Sequence, residues 1–189
     1  MRAFAAILAA GASRRLGQPR QLVRLRGQPL VCAIARALGA SSCDAVAVVL
    51  GAHGDAIARV VAATGAARLA NPDWREGIAS SIRCAAAWAE RAGADALVLA
   101  TCDQVRLDAR HVDRMLALHR AERVAVASRY AGTCGVPAVF GAADFAALDA
   151  LAGDRGARGL LAGCAAIDWP DGAFDLDTPA ELAALSVRR

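Results

Sequence analysis

The amino-acid sequence predicts one α/β domain in which a buried parallel sheet is covered by helices on both faces. Short apolar runs alternate along the chain with segments whose apolar residues recur at helical spacing, which is typical of α/β proteins. The apolar runs are continuous, as expected of parallel strands that are buried on both faces. A length of 189 residues suits a single domain over 1–189. No uncharged apolar run is long enough to span a membrane.

The N-terminal third predicts two strands and two helices. Ala3–Ala9 is a short apolar run that leads to Gly11, which predicts a buried first strand. Pro29–Leu38 carries Leu, Ile and Leu at helical spacing and is followed by glycine, which predicts a helix. Asp44–Leu50 is a second apolar run bounded by glycine and predicts a strand, and Asp55–Ala63 predicts the second helix.

The rest of the chain continues the same alternation. Ala94–Ala100 is a strongly apolar run and predicts a buried strand that ends at Thr101. Ala79–Ala92 predicts a helix that begins near Ser80 or Ser81. Further strands are predicted over Arg68–Ala70, Val124–Ser128, Pro137–Phe140 and Ala165–Trp169. Further helices are predicted over Asp108–Ala121, Ala142–Ala150, Ala157–Leu161 and Pro179–Leu185.

Two polar loops follow predicted strands at their carboxyl ends. One begins after Ala9 and the other after Ala100. Because ligands of open α/β sheets bind beyond the carboxyl ends of the strands, we expect both loops to contribute to one site.

The first of these loops, Gly11–Arg20, combines glycine, serine and arginine. Glycine lets the backbone approach a ligand closely, and exposed N–H groups with arginine forks suit a phosphate chain. Arg14, Arg15 and Arg20 make the loop strongly positive. All 22 basic residues of the chain are arginine, so there is no Walker A lysine, and the spacing fits neither standard nucleotide-binding fingerprint. From these residues alone, a phosphate site and an ordinary solvated loop both stay open.

Acidic residues supply candidate metal ligands. Asp103 lies just past a predicted strand, where its carboxylate is well placed to bind Mg²⁺, and a turn cap is the alternative role. Asp175 and Asp177 are two residues apart on an extended segment and point the same way, so one of them is a candidate for the same metal site. Asp177 before Thr178 and Pro179 is equally a good helix start.

Several other functions are disfavoured by composition. The six cysteines are widely spaced and contain no C-x-x-C pair, which disfavours a zinc site or a disulfide framework. The basic residues beyond the first loop are scattered and aromatic residues are few, so no nucleic-acid partner is expected. The N-terminal segment fits a strand better than a secretory signal, and we expect a cytoplasmic protein without a membrane partner.

Six sequence blocks resemble one enzyme family. Leu8–Leu22 (LAAGASRRLGQPRQL) is similar to the signature loop of the molybdenum cofactor cytidylyltransferase-like (MobA/MocA-like) branch of the nucleotidyltransferases. The later blocks are Asn71–Arg83, Cys102–Gln104, Gly135–Phe140, Gly153–Arg158 and Phe174–Pro179. The blocks occur in the family's order and cover nearly the whole chain.

The resemblance implies a Rossmann-like three-layer α/β/α nucleotidyltransferase fold with a mostly parallel mixed sheet. It implies catalytic roles for Arg15, Arg20 and Asp103, and binding of Mg²⁺ by Asp103 and Asp177. Arg155 is implied to face the acceptor. The implied nucleotide-binding residues are Leu8, Ala9, Ala10, Gly11, Ala12, Ser13, Arg14, Arg15, Arg20, Asn71, Ser80 and Ser81.

The resemblance also implies substrates. Guanylyl-transferring relatives tend to have glycine at the position of Ala10, so CTP is favoured as the donor, and a phosphate of molybdopterin or of its molybdenum cofactor is the expected acceptor. A molybdoenzyme or its chaperone is a candidate protein partner. The chain departs from the family pattern at Arg20, where lysine is usual, and at Val105, where proline is usual. A transferase for another phosphorylated acceptor, such as a sugar or alditol phosphate, and a non-catalytic cofactor-binding or insertion protein remain alternatives.

Overall fold

The computed structural model describes residues 1–174. The predicted metal ligand Asp177, its neighbour Asp175 and the predicted helix Pro179–Leu185 lie outside the described residues. The strands within 1–174 are β1 (Ala3–Leu8), β2 (Arg24–Leu25), β3 (Gln28–Pro29), β4 (Ala45–Leu50), β5 (Ala67–Ala70), β6 (Ala96–Thr101), β7 (Val126–Tyr130), β8 (Thr133–Gly141) and β9 (Ala165–Asp168). The α-helices within the same range are α1 (Leu30–Gly39), α2 (Gly54–Val61), α3 (Ile78–Arg91), α4 (Ala109–Glu122) and α5 (Phe145–Asp149).

Seven strands form one sheet in the order β5-β4-β1-β6-β8-β7-β9. β1 pairs in parallel with both β4 and β6, and β8 runs antiparallel between β6 and β7. The sheet is therefore mixed and mostly parallel. Because β4 and β5 lie on one side of β1 and all later strands lie on the other, the topological switch point falls between β1 and β6. The register pairs Leu8 with Thr101, so the loops after these two strands begin at the same level.

Helices cover both faces of the sheet. α1, α2 and α4 bury Ile34, Ile57 and Met115 against one face. α3 and α5 bury Ile82 and Leu148 against the other. The central strands consist of alanine and aliphatic or aromatic residues that are buried from both sides, which explains their continuous apolar pattern. The predicted three-layer α/β/α fold is confirmed.

The direction of β8 differs from the sequence-based expectation of parallel buried strands. β8 begins at Thr133 and is connected to β7 by a two-residue turn, Ala131-Gly132. Both turn residues have positive φ values, 47° and 73°. Such turns join neighbouring antiparallel strands, so β8 runs opposite to β6 although its core segment is as apolar as a parallel strand.

Other differences are local. The predicted helix Ala157–Leu161 is a 3-10 helix, and short 3-10 turns occupy Arg14–Leu16, Arg20–Leu22 and Trp74–Glu76 within or next to the predicted polar loops. Bounds of the predicted strands and longer helices mostly shift by one or two residues, as expected where caps define the ends. Across residues 1–174, every helix is too short or too polar to cross a membrane.

Candidate active site

A cleft of about 700 Å³ opens beyond the carboxyl ends of β1 and β6. The loop after β1 and the turn after β6 supply one part of its lining, and the start of α3 with the turn before it supplies another. The lining residues are Leu8, Ala10, Gly11, Ala12, Ser13, Arg14, Arg15, Arg20, Gln21, Trp74, Arg75, Gly77, Ile78, Ser81, Thr101, Cys102, Asp103 and Asp154. The two loops that the sequence assigned to a single site therefore share one cleft.

The loop Gly11–Arg20, called the arginine loop from here on, depends on Gln21 for its shape. This side chain is buried, and its Nε2 donates hydrogen bonds of 2.8 Å to the carbonyl oxygens of both Ala9 and Gly11. The backbone N–H of Arg20 donates to the Ser13 hydroxyl at 3.1 Å, which closes the loop on itself. Gln21 belongs to the recognised signature block, but its role was missed because its contacts are with backbone oxygens, which a sequence pattern does not reveal.

Arg20 and Asp103 meet across the cleft. Arg20 Nη1 lies 2.7 Å from Asp103 Oδ2, with 16% of the arginine side chain and 22% of the aspartate side chain exposed. The hydroxyl of Thr101 donates a hydrogen bond to the other carboxylate oxygen, Oδ1. Both oxygens of the carboxylate thus have a partner within the protein.

The turn that carries Asp103 is fixed from behind by Gln104. Gln104 Oε1 accepts a hydrogen bond from the backbone N–H of Thr101 at 3.1 Å, and its amide nitrogen donates to the carbonyl of Val136 on β8. Gln104 is buried and anchors the turn through these hydrogen bonds. It precedes Val105, the position where the family usually has proline. The turn that carries Asp103 is therefore held by two strands, β6 and β8.

Two further arginines stand at the mouth of the cleft. Arg14 and Arg15 are exposed and form a 3-10 turn between two residues with left-handed backbone, Ser13 (φ 51°) and Gly17 (φ 70°). Together with Arg20 they make the loop side of the cleft positive, which favours a polyanionic ligand.

Asn71, Ser80 and Ser81 form a buried hydrogen-bonded cluster beside the cleft. Asn71 Nδ2 donates to the hydroxyl of Ser80 at 3.0 Å and to that of Ser81 at 3.1 Å. Among the three, Ser81 lines the cleft, whereas Asn71 and Ser80 lie behind it, as does the buried Ala9. These contacts fix the start of α3, so Asn71 and Ser80 can influence a ligand through Ser81.

Trp74 and Arg75 contribute to the cleft from the turn before α3. The guanidinium carbon of Arg75 lies 4.5 Å from the centre of the Trp74 ring. The inner atoms of Trp74 are closely packed: a methyl group at Gly51 would lie 2.6 Å from Trp74 Cβ and 2.7 Å from Ala10 Cβ. Glycine at position 51 lets the tryptophan approach the arginine loop.

A second cavity of about 410 Å³ adjoins the cleft. It shares the walls formed by Leu8, Ile78, Thr101 and Asp154 with the cleft. The remainder of its lining is Ile82, Leu99, Tyr130, Gly135, Val136, Gly156, Ala157, Arg158 and Leu161. The lining is mainly aliphatic, with a few polar groups, and Arg158 rather than the expected Arg155 contributes its cation.

The cleft offers oxygen ligands for a metal ion. Asp103 and the hydroxyl of Thr101 are hard donors that suit Mg²⁺ or Mn²⁺, which commonly bind one or two carboxylates and complete their shell with phosphate oxygens and water. Within residues 1–174, no group of three or more acidic, histidine or cysteine side chains could hold a metal by itself. Burial raises the pKa of the neighbouring Cys102 thiol, so this sulfur is protonated at neutral pH and does not compete as a ligand. The residues present fit a metal that arrives with a phosphate ligand.

These features define a class of protein: an α/β domain with an arginine-rich loop at its topological switch point and a carboxylate facing that loop. The sequence matches the family model of the MobA-like NTP transferase domain over residues 5–168. The chain belongs to this family, the MobA-like NTP transferases.

Two relatives are named for different processes. The chain is 33% identical over 123 residues to nicotine blue oxidoreductase of Paenarthrobacter nicotinovorans, a match that covers 65% of this chain and 59% of that protein. The match thus spans less than two thirds of that relative. The chain is also 30% identical over 192 residues to the purine catabolism protein PucB of Bacillus subtilis (strain 168), a match that covers 92% of this chain and 91% of that protein.

A solved mycobacterial structure has the same fold over nearly the full length. Rv0371c from Mycobacterium tuberculosis H37Rv is 27% identical and superimposes with a TM-score of 0.83, covering 98% of this chain and 97% of that one. Its complex with manganese gives a TM-score of 0.79 at 25% identity, with 98% of each chain covered.

Proposed function

We propose that the protein is a Mg²⁺-dependent nucleotidyltransferase that transfers a nucleotidyl group, CMP from CTP, to a phosphate of molybdopterin or of its molybdenum cofactor. The observation that supports this most strongly is the approach of Arg20 to Asp103 at 2.7 Å across the cleft. A cation that can bind phosphate and a carboxylate that can bind a metal ion stand within reach of one triphosphate.

The proposed reaction exchanges one phosphoanhydride bond for another. An oxygen of the acceptor phosphate forms a bond to the α-phosphorus of the nucleotide, the bond from that phosphorus to the β-phosphate oxygen breaks, and pyrophosphate leaves. A phosphate is already a nucleophile, so no strong general base is required. Catalysis then depends on positioning two anions and on neutralising the charge that grows on the leaving oxygens.

Each part of the cleft has a role in this proposal. Arg15 and Arg20 hold the triphosphate, while Ala10–Ala12 approach the base or ribose through their backbone. Asp103 would hold the metal, with Asp177 as a proposed second ligand outside the described residues. A bound Mg²⁺ would supply charge neutralisation on the phosphates. The manganese complex of the relative Rv0371c supports a divalent ion in this fold.

The second cavity is proposed to hold the body of the acceptor. It meets the cleft at Thr101, directly beside the turn that carries Asp103, so an acceptor lodged there would present a phosphate to the nucleotide. Its aliphatic walls, including Leu99 and Leu161, suit a flat ring system better than the hydroxyl groups of a sugar or alditol phosphate. This is the reason for preferring a molybdopterin-type acceptor to the other phosphorylated acceptors.

Two finer proposals concern which nucleotide is the donor and where the product is delivered. Ala10, which is buried at the base of the loop, supports CTP rather than GTP because glycine is usual there in guanylyl-transferring relatives. The product would be passed to a molybdoenzyme or to its chaperone in the cytoplasm.

Pyrophosphate release tests the proposal. The chain is incubated with CTP, GTP, ATP or UTP, Mg²⁺ and molybdopterin, and pyrophosphate is measured together with the nucleotide-linked product. We expect release with CTP that requires both Mg²⁺ and the acceptor and that is lost in Asp103→Asn. Asp55→Asn, an exposed carboxylate at the start of α2, is the matched control and should retain activity. Absence of release with every nucleotide would leave the non-catalytic alternative standing.

A further inference from the structure

Asp103, the carboxylate proposed to bind the metal, has both of its oxygens occupied by protein groups. Arg20 Nη1 is 2.7 Å from Oδ2, and the Thr101 hydroxyl donates to Oδ1. The side chains of Arg20 and Asp103 are largely shielded from solvent, so water screens this ion pair less than it screens a surface pair. A metal ion that binds Asp103 must either displace one of these partners or use the second lone pair of an oxygen directly beside one of them.

The two partners differ in what their displacement requires. The Thr101 hydroxyl can rotate, and its oxygen can then itself face a cation. The Arg20 guanidinium is charged at every accessible pH, has no acceptor atom and repels a second cation placed beside it. Its backbone is fixed by the hydrogen bond from its N–H to Ser13, so the whole residue cannot simply move away with its loop. The arginine is therefore the obstacle to metal binding.

A triphosphate removes this obstacle. It presents several anionic oxygens at the same loop, and the guanidinium fork can turn from one carboxylate oxygen onto two phosphate oxygens without losing a charged partner. A lysine, the usual family residue, presents a single point charge on a flexible stem and would protect the carboxylate less firmly. Arginine at position 20 therefore shields the Asp103 carboxylate more firmly than the usual lysine would.

We propose that Arg20 closes Asp103 to divalent metal ions until a nucleoside triphosphate draws the guanidinium onto its phosphates, so that metal and nucleotide bind interdependently. The inference rests on the proposed function, since it takes the cleft to be a site for a metal and a triphosphate. By thermodynamic linkage, the metal must strengthen nucleotide binding by the same factor as the nucleotide strengthens metal binding.

Binding of Mn²⁺ followed by electron paramagnetic resonance tests the inference without turnover. The signal of hydrated Mn²⁺ falls as the ion binds, with or without α,β-methylene-CTP, which cannot be cleaved at the α-phosphorus. Because the analogue itself binds Mn²⁺, the fall in protein-free mixtures is subtracted, and only binding to the protein is compared. For the wild-type chain we expect weak binding of Mn²⁺ alone and an affinity about 10-fold or more higher with the analogue, a factor usual for coupled sites. Arg20→Gln should bind Mn²⁺ alone about 10-fold more tightly than wild type, with Arg20→Lys in between.

Two matched variants complete the design. Arg110→Gln removes an exposed arginine on α4 and should behave as wild type. Asp103→Asn combined with Arg20→Gln should abolish the gain in metal binding, which assigns the ion to this carboxylate. Circular dichroism checks the fold of each variant, and Arg20→Lys keeps a cation at position 20 if Arg20→Gln does not fold.

The outcomes separate the inference from the proposed function. Equal affinity of wild type, Arg20→Lys and Arg20→Gln for Mn²⁺ alone, with pyrophosphate still released, would overturn the inference and leave the function intact. Absence of Mn²⁺ binding even with the analogue, together with absence of pyrophosphate release, would overturn the proposed function and the inference with it.

Discussion

Arg83 and Glu76 form a two-point ion pair, with 2.8 Å from Nη1 to Oε1 and 2.5 Å from Nη2 to Oε2. The same arginine donates to the carbonyl of Leu151 at 2.8 Å, and Glu76 accepts from the N–H of Gly153 at 3.1 Å. Hydrogen bonds from the Arg83 guanidinium and the Gly153 backbone lower the pKa of Glu76 to about 2. The pair thus fastens the loop that carries Asp154, a shared wall of both cavities, to α3.

Loss of this pair should therefore weaken acceptor binding. In Arg83→Met we expect the KM for the acceptor to rise about 10-fold, because the residues that follow Asp154, such as Gly156 and Arg158, line the second cavity and not the cleft. The KM for CTP should change by less than about twofold, because Asp154 is the residue of this segment that lines the cleft. Steady-state kinetics with each substrate varied in turn gives both values. Arg91→Met, on the exposed end of the same helix, is the control. A larger effect on CTP than on the acceptor would show that this loop belongs to the nucleotide site.

Gln21 should be indispensable for the arginine loop. In Gln21→Leu the carbonyl oxygens of Ala9 and Gly11 lose their buried donor, and each unsatisfied group costs about 1–3 kcal/mol. We expect a lower free energy of unfolding in urea and a lower affinity for CTP. Gln18→Leu changes an exposed glutamine of the same loop and should keep both close to wild type. Unchanged stability in Gln21→Leu would contradict the anchoring role.

Gly51→Ala should disturb the contact between Trp74 and the arginine loop. The added methyl group would lie 2.6 Å from Trp74 Cβ and 2.7 Å from Ala10 Cβ, so one wall must move, at a cost of about 1–3 kcal/mol. CTP affinity should fall as well, because Ala10 lies at the base of the loop. Gly39→Ala at the end of α1 meets no atom within 4 Å and should be neutral or slightly stabilising. Equal thermal midpoints for the two variants would argue against the close packing.

His111 should make the stability of the fold depend on pH. Its Nε2 lies 2.7 Å from the Ser128 hydroxyl, which donates onward to the carbonyl of Pro137, so the buried imidazole donates from Nε2. Burial lowers its pKa to about 4, with Arg114 adding to the effect and Asp108 opposing it. Below the ordinary value of 6.5 the unfolded chain takes up the proton first, so stability is lost as the pH falls from 6.5 towards 4.

The loss amounts to about 3 kcal/mol at most, from the size of the pKa shift. Urea unfolding of the wild type and of His111→Gln at pH 7, 5.5 and 4.5 measures it. The glutamine can still donate to Ser128 but has no proton to gain, so its free energy of unfolding should fall less over this range. Parallel pH profiles for the two proteins would refute the assignment to His111.

The α/β class could be predicted because the pattern that reveals it is local. β1, β4 and β6 are apolar runs followed by glycine or by polar turns, and each appears within two residues of its predicted bounds. The direction of β8 could not be predicted from its apolar content, because it depends on the left-handed conformations of Ala131 and Gly132. Alanine rarely adopts such a conformation, so the sequence carried no turn signal at its first position.

The site was predictable to the level of its loops but not of its contacts. Arg20 and Asp103 are 83 residues apart, and the rule for carboxyl ends of strands suffices to expect them at the same edge of the sheet. That they pair directly depends on Ser13, which holds the backbone of Arg20, and on Thr101, whose hydroxyl orients the Asp103 carboxylate. The burial of Asn71 behind the cleft could not be predicted either. Its partners are Ser80 and Ser81, and Asn71 lies before their helix, so helical spacing does not relate it to them.

Calorimetric titration of CTP, once with Mg²⁺ and once with EDTA, shows whether the arginine loop and Asp103 serve one nucleotide and one metal ion. We expect Mg²⁺ to raise the CTP affinity of the wild type about 10-fold or more and to leave that of Asp103→Asn unchanged. An equal gain with Mg²⁺ in both proteins would contradict it, because the metal would then bind away from Asp103.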